Sequence, residues 1–119
     1  MAQETGRVND DLQAFITIEL NNGATFDCLL DTGFDGALVL PKSFVQDNSI
    51  PIVGDETYTA AEGNVFTADI GVAEINWLDE NLSIRVLVSE VGDALIGVEM
   101  LVDSILEIDY KNQTVKITK

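Results

Sequence analysis

Histidine is absent from this chain of 119 residues, and the absence removes more chemistry than any other feature of the sequence. Ser-His and Cys-His nucleophilic machinery cannot be assembled within it, and a zinc site loses its commonest nitrogen ligand. Acid–base work falls to carboxylates, tyrosines or lysines. Cysteine is nearly as scarce. Cys28 stands alone, so no intramolecular disulfide can form, and a cytoplasmic location is the expectation. Basic residues number six against 21 acidic ones, a formal charge of −15. Nucleic acids and anionic membrane surfaces demand a basic footprint, so neither is an expected partner. No apolar run approaches the roughly 18 residues of a membrane span. The opening "MAQETGRVNDD" lacks the basic and then apolar order of a secretory signal.

Hydrophobic residues make up 46% of the chain, enough for a globular core in one domain. Residues 1–11 read as a polar, loose segment ahead of a single domain spanning 12–119. "AFITIEL" alternates, with Ala14, Ile16, Ile18 and Leu20 on one face. "NNGA" is a hairpin turn, and residues 25–30 return antiparallel. A short strand over 37–40 leads to Pro41, placed at the first position of a short helix. Glu62-Gly63 reads as the tip of a hairpin between residues 56–60 and 64–70. "GVAEINW" and "LSIRVLV" form a second hairpin about "LDEN", and residues 105–118 a third about Lys111-Asn112-Gln113. Between them Leu95-Ile96 is a short apolar strand that Gly97 breaks before a helical turn. About nine strands with closely spaced turns indicate an all-β barrel or sandwich.

One stretch departs from this pattern. "FDCLLDTGFDGALVLP" drives the carboxylate of Asp31 between two apolar runs, and a carboxylate among apolar neighbours is costly unless compensated. Asp31-Thr32-Gly33 has two readings: a turn in which the aspartate caps its own backbone, or a catalytic acid. Asp27, Asp31 and Asp35 are spaced by four, but on strand-like backbone the three do not converge, so no metal site is expected. Cys28 reads as a small buried hydrophobe, and Trp77 as a packing residue.

Asp31-Thr32-Gly33 after an apolar strand, a glycine-tipped hairpin, and Leu95-Ile96-Gly97 before a short helix together resemble the retropepsin-like (clan AA) aspartic proteases, most nearly the small microbial single-domain members. The resemblance runs from about Phe15 to Thr118. It implies an all-β, closed or partly open acid-protease barrel with one or two short helices. It also implies a homodimeric aspartic endopeptidase that acts on a peptide or protein without a cofactor. Asp31 would be the catalytic carboxylate of each subunit. Thr32 would hydrogen-bond across the subunit boundary, and Gly33 would let backbone approach the carboxylate. Phe34 and the flap tip Glu62-Gly63-Asn64 would contact substrate, and Leu95, Ile96 and Gly97 would support the loop. The N- and C-terminal segments would help form the dimer.

Three positions depart from the family pattern. Phe34 stands where many relatives carry Ala or Ser, and it cannot hydrogen-bond the aspartate. Val98-Glu99 replaces the Arg followed by Asp or Asn of retroviral enzymes. The flap tip has a single glycine. A dimeric, non-catalytic module that binds peptides or scaffolds a partner on the same fold is the alternative, because fold does not fix function.

Overall fold

A computed structural model of the chain describes residues 2–59, 62–92 and 94–119, without the Tyr58 side chain. Ala60, the last residue of one expected strand, lies outside the described residues. The alternating apolar pattern produces β2 (Ala14–Leu20), whose Ala14, Ile16, Ile18 and Leu20 are all buried. Gly23, at φ +91°, allows the turn to β3 (Thr25–Leu30), which returns antiparallel with Phe15 opposite Leu29. After a loop come β4 (Leu38–Pro41) and the helix α1 (Lys42–Asp47). Pro41 falls one position earlier than expected. It is the N-cap of α1 and the last residue of β4, and its φ of −65° suits both.

Next is a hairpin of β5 (Ile52–Thr59) and β6 (Val65–Trp77), followed by β7 (Glu80–Ser89). The sequence suggests a break at Gly71, but β6 runs through it as one strand. The missing side chain is used for packing there. A Cβ at Gly71 would sit 3.2 Å from Ile50 Cγ2 and 3.2 Å from the Pro51 carbonyl. Leu78 and Asp79, both at positive φ, make the tight turn into β7. The chain closes with β8 (Leu95–Ile96), a 3-10 helix (Val98–Leu101), β9 (Ile105–Asp109) and β10 (Thr114–Thr118). Trp77 is buried, and its Nε1–H donates to the Met100 carbonyl at 3.2 Å.

The N-terminal segment is not loose. Residues 3–8 form β1 (Gln3–Val8), inserted between β2 and β10. "QETGRV" has almost no apolar signal, but both of its edges are occupied, so the ladder hydrogen bonds come from its neighbours and do not depend on its own side chains. Gly6 is required at this insertion, because a Cβ would lie 2.0 Å from the Phe15 carbonyl. The count therefore rises from the expected nine strands to ten among the described residues.

The ten strands form one sheet in the order β5-β6-β7-β4-β8-β3-β2-β1-β10-β9, with an additional pairing of β6 to β2. That pairing, Glu19 with Asn76 and Leu20 with Ile75, closes β6-β7-β4-β8-β3-β2 into a six-stranded ring. β5 extends one side of the ring and β1-β10-β9 the other. The interior is filled by Ile16, Ile18, Cys28, Leu38, Leu40, Ile75, Val86 and Ile96, with Val115 and Ile117 beneath the β1–β10 extension. No polar side chain is fully buried among the described residues.

Glu4 joins the N-terminal strand to the ring. Its carboxylate accepts the Leu78 amide at 2.8 Å. Partial burial pushes the Glu4 pKa above its usual 4.5, the Leu78 hydrogen bond opposes that, and Asp79 and Glu19 add to it. A raised carboxyl pKa favours the folded state while the group is protonated, and that contribution is lost as pH rises through the folded value. Glu4→Gln retains an acceptor for Leu78 and abolishes the ionisation. Thermal melts should show the variant gaining on the parent as pH rises from about 4 to 7, the range over which a carboxyl with a raised pKa ionises.

Candidate active site

The apolar end of β3 delivers Asp31 to the rim of the ring, where its side chain is half-buried. Its amide donates to the Ile96 carbonyl at 2.9 Å, extending the β3–β8 pairing by one bond. The Gly33 N–H donates to Asp31 Oδ1 at 2.9 Å, and the Phe34 N–H to the Asp31 carbonyl at 3.1 Å. One carboxylate oxygen thus orders the turn, while Oδ2 has no hydrogen-bond partner among the described residues. The aspartate both caps the loop and offers a free oxygen.

Leu95, Ile96 and Gly97 brace this loop from two sides. β8 runs parallel to β3, with Leu29 opposite Leu95 and Leu30 opposite Ile96, and antiparallel to β4, with Leu38 opposite Ile96. Beyond it, the Gly97 N–H donates to the Ala37 carbonyl at 2.9 Å, Val98 N–H to the Phe34 carbonyl at 3.0 Å and Glu99 N–H to the Gly36 carbonyl at 3.2 Å. Backbone amides of Val98 and Glu99 therefore reach the loop. Gly97 has no room for a side chain, since a Cβ would lie 2.2 Å from the Gly36 carbonyl and 2.6 Å from Phe34 Cδ2. At Gly36 a Cβ would meet Phe34 Cζ at 2.5 Å, so the Phe34 ring packs over two glycines. Gly33 is close to its aspartate, with a Cβ position 3.2 Å from Oδ1.

Thr32 is exposed, and its hydroxyl has no partner within the chain among the described residues. Glu62, Gly63 and Asn64 sit exposed at the tip of the β5–β6 hairpin, with Gly63 at φ +86°. Beside the loop lies a cleft of about 270 Å³, with Phe34, Ala37 and Leu38 on one wall and Ile70 of β6 and Leu87 of β7 on the other. The hairpin body lines this cleft and its tip does not, and the lining begins three residues after Asp31, at Phe34.

Charged residues also line the cleft: Asp35, Glu56, Arg85 and Glu99, of which the sequence did not single out Glu56 and Arg85. Arg85 Nη2 pairs with Glu56 Oε2 at 2.8 Å. Nothing in the sequence links these two, because their meeting depends on the registers of β5 with β6 and β6 with β7. Cys28 offers no competing nucleophile. Burial, and then the Asp27 charge, push its thiol pKa up to about 12, and the side chain is fully enclosed. Among the described residues, no three metal-ligating side chains converge.

This architecture is the retropepsin-like aspartic protease fold, an all-β barrel carrying an Asp-Thr-Gly loop. A retropepsin-like aspartic protease from Rickettsia conorii superposes with a TM-score of 0.67 at 18% identity, over 97% of this chain and 89% of that one. The protease of simian foamy virus (mac) superposes with a TM-score of 0.55 at 14% identity, over 73% of this chain and 90% of that one. A foamy viral protease-reverse transcriptase gives 0.56 at 13% identity, over 80% of this chain but only 13% of that one. No protein-family model matches the sequence, and no curated protein matches it.

Gly97→Ala tests the bracing of the loop. The added methyl meets backbone on one side and a ring held by two glycines on the other. Overpacking of this kind costs about 1–3 kcal/mol, so the melting temperature should fall. A variant as stable as the parent would show that the 97–99 segment can move away from the loop.

Proposed function

We propose that the chain is a homodimeric aspartic endopeptidase in which Asp31 of each subunit supplies half of a catalytic pair. The observation that carries this reading is the Asp31 carboxylate itself. It is held at the end of β3 by the Gly33 N–H on one oxygen, is braced by β8, and keeps a free oxygen at an exposed rim. One such loop per chain offers one carboxylate, and two-fold symmetry brings a second copy of the same residue to the axis.

Two carboxylates a few ångströms apart cannot both ionise cheaply, so the pair holds one proton between them. The ionised member takes a proton from a water molecule as the oxygen of that water attacks the scissile carbonyl. The protonated member donates to the carbonyl oxygen as it becomes a hydroxyl. Proton transfer to the leaving nitrogen then releases the two peptide halves and restores the pair. Neither metal nor covalent intermediate takes part in this scheme. Apolar side chains of the substrate are accommodated in the cleft beside Phe34, Ile70 and Leu87, and the tip residues Glu62, Gly63 and Asn64 close over the peptide. Thr32, whose hydroxyl is free to bond outside the chain, meets the second subunit.

Asp31→Asn tests the reading. Asparagine can keep the Gly33 N–H on its side-chain oxygen but cannot exchange the proton, and in a dimer both halves of the site change together. Peptide-library hydrolysis should fall by about 10²-fold to 10⁴-fold or more. The melting temperature should hold or rise, since two repelling carboxylates are removed. The parent should show a bell-shaped pH–rate profile and be indifferent to chelators. Cleavage that survives the substitution would remove Asp31 as the catalytic acid. A parent that binds library peptides but never cleaves them would assign the fold to a binding module.

A further inference from the structure

The paired reading of Asp31 needs a surface on which the second copy docks, and the terminal strands cannot supply one by strand pairing. β1 lies between β2 and β10, and β10 between β1 and β9, so at the Asp31 end, where β1 pairs with β2 over Gly6–Val8, both of their edges are used within the chain. The open edges among the described residues belong to β9 and β5. A junction at β9 would stand four strands from β3, about 19 Å at the usual strand spacing, in each copy. That separation keeps the two carboxylates far apart.

What remains is the end of the sheet at which Asp31 emerges. Phe15 pairs with Leu29 and Val8 with Ala14, so the turn over residues 9–13 lies at that end. Arg7 pairs with Thr114, and the Val8 N–H donates to the Gln113 carbonyl at 3.1 Å, which brings the turn over residues 110–113 to the same end. Each turn presents one large apolar side chain to solvent: Leu12, 65% exposed, and Tyr110, 56% exposed. Leu12 also sits at φ +63°, a conformation that asparagine, aspartate or glycine adopts more readily than leucine. Backbone bonds to Asn9 hold the turn, but the Leu12 side chain gains no burial there, and a local inconsistency of this kind points to a use outside the chain.

Both turns are held in shape. Asn9 Oδ1 accepts the Asp11 and Gln13 amides at 3.0 and 2.9 Å. Asp109 Oδ1 accepts the Lys111 and Asn112 amides, both at 3.0 Å. The charges on the two turns are also complementary. Arg7, Lys42, Arg85, Lys116 and Lys119 each pair with a carboxylate, whereas Lys111 has no ion-pair partner among the described residues. Asp10 and Asp11, exposed on the neighbouring turn, have none either. In a chain of charge −15, the one basic side chain without an ion-pair partner among the described residues lies on the face that carries the Asp31 loop.

We propose that this face is where a second copy of the chain docks, with Leu12 and Tyr110 as apolar anchors and Lys111 of each copy paired with Asp10 and Asp11 of the other. An isologous contact uses each pairing twice, so the patch must be complementary to itself, and these two turns meet that requirement. The pairing also offsets the repulsion between two strongly acidic chains at the point where they meet.

The inference rests on Asp31 being half of a pair, and sedimentation equilibrium of the full chain separates the two. The parent should dimerise. Lys111→Glu should raise the dimer dissociation constant roughly tenfold or more at low salt and less at high salt. Asp10→Lys with Asp11→Lys, added to Lys111→Glu, should restore association. Leu12→Asp, which suits its positive φ, should weaken the dimer at any salt while the melting temperature of the monomer is retained. A parent dimer unaffected by Lys111→Glu and Leu12→Asp would overturn this surface and leave the paired Asp31 standing. A parent that stays monomeric at high concentration and high salt would overturn both.

Discussion

The architecture depends on how closely the segment Leu95–Gly97 approaches the loop that follows β3. Two strands far apart in sequence lie parallel for only two residue pairs, and the contact is then carried on by single backbone hydrogen bonds: Asp31 to Ile96, Gly97 to Ala37, Val98 to Phe34, and Glu99 to Gly36. Such close approach is possible only because Gly36 and Gly97 carry no side chains, which leaves the Phe34 ring to fill the space above them. The position of the aspartate follows from this clamp. Asp31 is held by its neighbours' backbone and its own turn, with no side-chain cation on it, and so one oxygen stays available at the rim.

Phe34 connects the clamp to the cleft. A small residue there would leave the two glycines uncovered. The ring covers them and also forms one wall of the groove that runs between the loop and the β5–β6 hairpin. The same position thus supplies both the packing over the glycines and an apolar wall of the cleft. The opposite wall is mixed, since the Arg85–Glu56 pair spans β7 and β5 beside Ile70 and Leu87. Exposed pairs of this kind contribute little to stability, but they set the polarity that a bound peptide would encounter.

Closure of the barrel and occupation of the terminal strands also bear on assembly. The β6–β2 pairing seals the ring, and β1 and β10 complete a sheet extension whose internal edges are used at the Asp31 end. Negative charge at this density opposes self-association over the surface as a whole. The proposed contact between copies would therefore need a local patch, and the turns at the Asp31 end bring together exposed Leu12 and Tyr110 with Lys111, which has no ion-pair partner among the described residues.

Much of the fold was legible in the sequence because half-buried strands alternate. Ala14, Ile16, Ile18 and Leu20 announce β2, the Asn-Gly turn announces β3, and Leu95-Ile96-Gly97 announces a short strand with an abrupt end. The lack of histidine left acid–base chemistry to carboxylates, tyrosines or lysines, and the Asp31-Thr32-Gly33 loop stood out because it places a charge between apolar runs. The tertiary structure decided what depends on pairing between distant segments. β1 carries too few apolar residues to announce itself and becomes a strand only because β2 and β10 flank it. β6 continues through Gly71, whose missing side chain leaves room for the Ile50 side chain and the Pro51 carbonyl. Glu56 and Arg85, and the turns bearing Leu12 and Lys111, come together through strand register, which a linear pattern does not encode. Alternation is a local consequence of the two-residue strand repeat and can be read along the chain, whereas register and closure are set by which strands find each other across the barrel.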